Sequence, residues 1–267
     1  MHKAPLTRPD PWGFLAKFTS ARIALGRAGG SVPTTPLLAF QLAHARARDA
    51  VLQDLDVALL SHQLHNEAWP PLLLDSAASD RTAYIQRPDL GQILSPDSTA
   101  SLTSWSQDKP PCDVVFVIAD GLSASAVQHH SLPMLRLMLP TLRAAGWSVA
   151  PPCIVRHGRV AVADEIGALL GASMSVMLIG ERPGLSSPDT LGIYLTWQPS
   201  PGKSNADRNC LSNVRPEGLS YDAAAHKLQY LMMASRDRRL SGVNLKEDAA
   251  ELITGHAVRE IESGDNP

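Results

Sequence analysis

A chain of 267 residues is long enough for one large or two moderate domains, and 44% hydrophobic with 19% charged residues is the composition of a packed protein, not a disordered one. The formal net charge of -2 supplies no basic footprint for nucleic acid or an anionic membrane surface. Cys112, Cys153 and Cys210 are odd in number, far apart and unaccompanied by a C-x-x-C or a histidine pair, so they suggest neither a disulfide framework nor a zinc site.

In chain order, Asp10 before Pro11 opens a helix through "WGFLAKFTSARIAL", which "GRAGG" stops. Thr35 and Pro36 start a second helical stretch, with Leu38, Leu42, Ala45, Leu52, Leu55 and Leu59 as an imperfect apolar face. Residues 95–111, "SPDSTASLTSWSQDKPP", are rich in Ser and Pro without periodicity and read as a linker. Residues 1–110 therefore form a helical N-terminal part, and 111–267 an α/β domain.

"DVVFVIADG" at 113–121 is a β-branched run ended by Asp-Gly, the form of a strand buried on both faces. Helical material follows as "SASAVQHH" and then "SLPMLRLMLPTLRAAG", with Pro133 near a helix start, Pro140 as a kink and Gly146 as a stop. "WSVAPPCIVRHGRVAV" reads as extended, "ADEIGALLG" as a helix, "SVMLIG" and "LGIYLTW" as strands, "YDAAAHKLQYLMMASRDRRL" as a long helix, and "SGDNP" as a frayed tail. Alternating strands and helices predict a Rossmann-like, mostly parallel sheet with flanking helices. The longest apolar runs, "VVFVIA" and "VMLI", fall far below a membrane span, and the N-terminus shows no signal-peptide run, so a cytoplasmic protein is expected.

Three polar loops punctuate the α/β part: "RHGRV" at 156–160, "GERPGLSSPDTLG" at 180–192 and "DRNCLSNVRPEGLS" at 207–220. Solvated turns are the plain reading of any one of them. Together they converge on one end of the sheet, where ligands sit in open α/β folds, and Glu181, Arg208, Asn209 and Asn213 offer more donors and acceptors than turns need. Pro183 forces Arg182 out of the helical region, which places its guanidinium to hold the loop around Glu181. Asp120, Ser123 and His157 could form a hydrolase-like set, yet no G-x-S-x-G is present and helix capping explains the first two better. "DGLSAS" fails the dinucleotide pattern and no P-loop occurs. His129 and His130 read as surface or capping residues, and Asp164 with Glu165 as acids favoured at a helix start. Catalytic residues do not emerge.

"ARIALGRAGGSVPT", "YIQRPDLG", "DVVFVIADGLSASAV", "RHGRVAVADEIG", "GERPGLSSPDTLGIYLTW" and "DRNCLSNVRPEGLSYDAAA", in that order from Ser20 to Gly242, resemble the small (light) subunit of ethanolamine ammonia-lyase. The resemblance implies an adenosylcobalamin-dependent carbon–nitrogen lyase that converts ethanolamine to acetaldehyde and ammonia. It implies a large, barrel-type partner subunit that makes the main substrate contacts, cobalamin lying between the two chains, and a higher-order assembly of such pairs. The family's small-subunit cobalamin contacts transfer to Val160, Glu181 and Cys210, and Arg182, Arg208 and Asn209 are further candidates beside them. On this reading Arg208 reaches a cofactor amide or the large subunit, and no residue of this chain is catalytic or ligates a metal. No D-x-H-x-x-G stretch is present to replace the cofactor's own lower base, which is expected to stay on cobalt. The segment before "TSARIALGRAG" is shorter than the extension of family members that enter bacterial microcompartments, which argues against encapsulation through this subunit. Two alternatives stand beside the resemblance: an assembly subunit without cofactor contacts, and a self-sufficient hydrolase-like enzyme.

Overall fold

The computed structural model describes residues 7–246; the tail expected at "SGDNP" lies outside them. Ahead of the central strand come α1 (Thr34–Leu52), α2 (Val57–Asn66), β1 (Leu72–Asp75), α3 (Arg81–Gln86) and α4 (Pro96–Ser106). Then follow β2 (Cys112–Ala119), α5 (Ala124–Ala144), β3 (Cys153–Arg156), α6 (Val162–Leu169), β4 (Ala172–Gly180), β5 (Leu191–Trp197), β6 (Arg208–Val214) and α7 (Tyr221–Arg238). The six strands form one sheet in the order β1-β3-β2-β4-β5-β6. The first four run parallel, and β5 and β6 are antiparallel additions.

β2 shows why the sheet is a three-layer sandwich. Its side chains alternate across the sheet: Val114, Phe116 and Ile118 pack with Val127, Leu135 and Leu139 of α5, while Val115, Val117 and Ala119 pack with Val162, Ala163 and Ile166 of α6. Each large apolar side chain buried this way contributes roughly 1.5–3 kcal/mol. The exit turn of β2 then passes tightly against the end of β4. A Cβ at Gly121, whose φ is +57°, would lie 2.2 Å from the Gly180 carbonyl oxygen, so only glycine fits there. Among the described residues, no helix is long and apolar enough to cross a membrane.

Four segments differ from the sequence reading. The first helix shrinks to a 3₁₀ turn, Gly13–Phe18, which buries no residue; a short helix without tertiary packing has little to hold it. The Ser/Pro-rich "linker" is in fact α4: Ser95 Oγ accepts from Ser98 N at 3.2 Å, Pro96 supplies the first turn, and Leu102 is buried. α5 runs unbroken through both Pro133 and Pro140, because burial of one whole face outweighs the two missing N–H donors. The third polar loop contains strand β6, paired with β5 from Leu191↔Val214 to Thr196↔Arg208. β1, upstream of residue 111, forms the far edge of the sheet beside β3.

Candidate functional site

β2 is followed by α5 on one face of the sheet and β3 by α6 on the other. The chains leaving these neighbouring strands part, and a crevice opens at their carboxyl ends. A cleft of about 410 Å³ occupies it, lined by Gly121 and Leu122 after β2, Arg159 and Val160 after β3, Ile179 to Arg182 at the end of β4, and Tyr84 and Tyr194. A second cleft of about 380 Å³ adjoins it, shares Arg159 and Val160, and reaches Lys203, Asn205 and Arg208.

The floor is built on buried charge. Asp120 is 1% exposed; its carboxylate accepts from Gly158 N at 3.1 Å and from Arg81 Nη1 at 3.0 Å. Burial pushes this carboxyl above its usual range, opposed first by Arg81 and then by His157. Arg81 also donates to the carbonyls of Gly121 at 2.9 Å and Val51 at 2.8 Å, tying the β2 turn to α1. Tyr84 lies between two guanidiniums, with Arg81 4.8 Å and Arg159 4.2 Å from its ring centre. Its hydroxyl is buried without a hydrogen-bond partner, and burial raises its phenol well above the usual range.

Val160 and Glu181 meet in the first cleft. Glu181 is more than a loop carboxylate: it accepts from Ser212 Oγ at 2.5 Å and from Asn213 N at 3.1 Å, so it stitches the end of β4 to β6. Cys210, exposed on β6, stands opposite Tyr194 in the antiparallel register and flanks the cleft through that side chain. Burial raises the Tyr194 phenol, with Cys210 adding to the shift.

The three flanking candidates separate. Arg182 is exposed at the cleft rim and makes no hydrogen bond or ion pair among the described residues. The expected clamp on the 181–190 loop comes instead from residues that the sequence reading passed over. Arg22 donates to the Leu185 carbonyl at 3.2 Å and to Ser186 Oγ at 3.4 Å, and Ser186 donates to the Ser20 carbonyl at 3.1 Å. His130, buried and not on the surface as expected, anchors the far end of the loop: Nε2 donates to the Asp189 carbonyl at 2.9 Å, and Nδ1 accepts from Tyr221 Oη at 2.7 Å. Burial lowers the pKa of this imidazole, in keeping with that neutral tautomer.

Arg208 points inward. It forms a buried ion pair with Asp164, and it donates to Asn205 Oδ1 at 3.1 Å and the Lys203 carbonyl at 3.0 Å. Its role is therefore to back the wall of the second cleft. Asp164, read as a dipole partner, is 2% exposed; burial raises its pKa against the pull of Arg208. Asn209 faces the opposite side of the sheet, where its side chain binds Gly242 N at 2.7 Å and the Leu245 carbonyl at 2.8 Å.

The hydrolase-like set is not assembled. Ser123 is fully buried, caps α5 through Ala126 N at 3.3 Å and donates to the Pro188 carbonyl at 2.9 Å. Asp120 holds Arg81 and Gly158, and His157 Nε2 lies 3.5 Å from Asp54. Among the described residues, no group of three or more His, Cys, Asp or Glu side chains could hold a metal ion.

Comparison with known proteins bears on this arrangement. The family model for the ethanolamine ammonia-lyase light chain matches residues 9–246. The ethanolamine ammonia-lyase small subunit of Azotobacter vinelandii is 57% identical over 248 residues, covering 92% of each chain. That of Pseudomonas fluorescens is 56% identical over 250 residues, 93% of this chain and 91% of the relative. That of Ralstonia nicotianae is 56% identical over 241 residues, 90% and 89%. With the family model spanning nearly every described residue, and so both clefts, the chain belongs to the ethanolamine ammonia-lyase small-subunit family.

Proposed function

We propose that this chain is the small subunit of an adenosylcobalamin-dependent ethanolamine ammonia-lyase and forms one wall of the cobalamin site against a large subunit, in a complex that converts ethanolamine to acetaldehyde and ammonia. The observation that carries the reading is the meeting of Val160 and Glu181 in one cleft at the carboxyl ends of the parallel strands, with Cys210 beside it.

The residues present suit a corrinoid. Leu122, Val160 and Ile179 offer apolar surface to a broad ring face, and Glu181 offers carboxylate oxygens to rim amides. The orphaned Tyr84 hydroxyl is a buried polar atom that a ligand would satisfy. Clefts of about 410 and 380 Å³ lie near the lower end of those that enclose a drug-sized ligand, whereas a corrinoid is larger, so this chain covers only part of it. Exposed Trp12, Phe14, Phe18, Leu38 and Leu42 on the N-terminal segment and α1 favour a partner over a solitary life.

When bound, adenosylcobalamin supplies the radical chemistry. This chain's residues orient and exclude water. Asp120 and Arg81 fix the turn after β2, Glu181 fixes the end of β4, and the Arg22 and His130 contacts hold the 181–190 loop over the cleft. None of these side chains needs to move a proton in turnover.

Co-expression with the large subunit, followed by co-purification and turnover assays, tests the reading. The pair should bind adenosylcobalamin and deaminate ethanolamine, while this chain alone should bind it weakly and turn over nothing. Ethanolamine turnover by the isolated chain would overturn it, and a complex that forms without any corrinoid affinity would favour the assembly-only role.

A further inference from the structure

An apolar groove of about 770 Å³ runs between α1 and the 181–190 loop. Leu25, Val32, Leu37, Phe40 and Leu185 line it, each between 37% and 46% exposed. Open apolar surface of this kind is unfavourable in water and marks a place that something covers. Its one charged lining residue is Arg22, whose guanidinium donates to the Leu185 carbonyl and to Ser186 Oγ and pairs with no carboxylate among the described residues. The chain around the groove is cationic: over residues 7–48, Arg8, Lys17, Arg22, Arg27, Arg46 and Arg48 stand against Asp10 alone. Of these cations only Arg48 has an ion pair among the described residues, at 3.9 Å to neighbouring Asp49.

The occupant with the matching chemistry is this chain's own C-terminal segment. Residues 247–267 lie outside the described residues and beyond the family match at 9–246. They hold Glu247, Asp248, Glu251, Glu260, Glu262 and Asp265 against Arg259, with Leu252, Ile253, Val258 and Ile261 among them. Acids interspersed with apolar side chains complement an apolar groove that has a cationic rim. The root of the segment is fixed on the same side of the sheet as the groove. Leu245 is buried in the core layer that contains α5, and its carbonyl accepts from Asn209 Nδ2 at 2.8 Å. α1 packs on α5, and the 181–190 loop is tied to α5 through Ser123 and His130. From that root 21 residues can span up to about 70 Å, against a radius of gyration of roughly 18 Å for a fold of this size. A second copy is the poorer occupant, since a two-fold contact through this groove would set one cationic rim against another.

We propose that in the free chain residues 247–267 dock in this groove, their apolar side chains against Leu37, Phe40 and Leu185 and their acids toward the cationic rim. The segment is thereby an intramolecular cover, which a partner subunit must displace to reach the same surface. The inference goes beyond the cobalamin reading and stands independently of it.

The test is photocrosslinking of the purified full-length chain carrying Phe40→p-benzoylphenylalanine, an exposed α1 position that lines the groove, with the products mapped by mass spectrometry. Intramolecular crosslinks to residues 247–267 are expected. Leu252→Asp together with Ile253→Asp should cut their yield about tenfold or more, because two apolar contacts are lost. Glu251→Lys together with Glu260→Lys should cut it about three- to tenfold, and raised salt should act in the same direction. Both pairs lie outside residues 7–246, and a retained cooperative urea transition separates loss of docking from loss of the fold. Crosslinks that join two copies would assign the groove to a second chain. Crosslinks confined to residues 7–246, or yields that the tail substitutions leave unchanged, would mean that the segment does not cover it. Any of these three results would overturn the inference.

Discussion

Arg208 shows how far a single residue's role depends on which way it points. From sequence it was one of several arginines in a polar loop; in the fold it sits on a strand and neutralises Asp164, with both side chains at least 96% buried. Removing one partner of such a pair leaves an uncompensated charge in the interior. Arg208→Met should therefore cost about 3–5 kcal/mol of stability at neutral pH, read from urea unfolding. The pH dependence follows from the direction of the Asp164 shift. Its pKa in the fold already lies above 3.8, and without Arg208 it rises further, so the folded state holds a proton that the unfolded state releases. The stabilisation from that proton is complete below 3.8 and is lost as pH climbs through the folded value. The gap between variant and parent should accordingly narrow as pH is lowered toward the carboxylate range. A gap that stays constant with pH would show that Asp164 is not the group left unpaired.

At the scale of elements, Glu181 joins two strands that are not neighbours in the sheet, since β5 lies between β4 and β6. Glu181→Ala should loosen β6 as well as remove the proposed ligand contact. We expect faster amide hydrogen exchange at Asn213, a folding cost of about 0.5–1.5 kcal/mol for the half-exposed carboxylate, and weaker corrinoid binding. Unchanged exchange at Asn213 would mean the stitch carries no weight. The largely apolar strands β2, β4 and β5 were legible because two buried faces demand continuous apolar runs. β6 was not, because an edge strand beside a cleft alternates buried Arg208, Leu211 and Val214 with exposed Cys210, Ser212 and Asn213, and its charge imitates a loop. α4 was missed although "SPD" carries a cap, a first-turn proline and an acid, because its serines obscured the period. The converse error fell on "WGFLAKF", whose apolar spacing faces solvent in this chain. Of the site, the Glu181 end of β4 could be read from Pro183 and the strand before it. The anchors Arg22 and His130 could not, since they reach the loop from 163 and 59 residues away in sequence.

Over the whole molecule, the sheet presents an open edge of function. The clefts lie at one end of it, and an apolar groove of about 770 Å³ between α1 and the 181–190 loop, lined by Leu37, Phe40 and Leu185, lies near them. The loop thus borders both the proposed cofactor cleft and an apolar surface suited to a partner, so on the proposed reading one element would serve assembly and cofactor binding. The central claim is that this chain supplies a wall of the corrinoid site and not merely a contact for the large subunit. Val160 tests it directly, because it is half-buried and lines both clefts without a side-chain hydrogen bond to lose. The measurement is a visible-absorption titration of the complex carrying Val160→Trp with adenosylcobalamin, run beside a pull-down of the large subunit. An indole filling the junction of the clefts should lower cofactor affinity about tenfold or more while leaving the yield of complex unchanged. Unaltered affinity in a fully assembled complex would contradict the account.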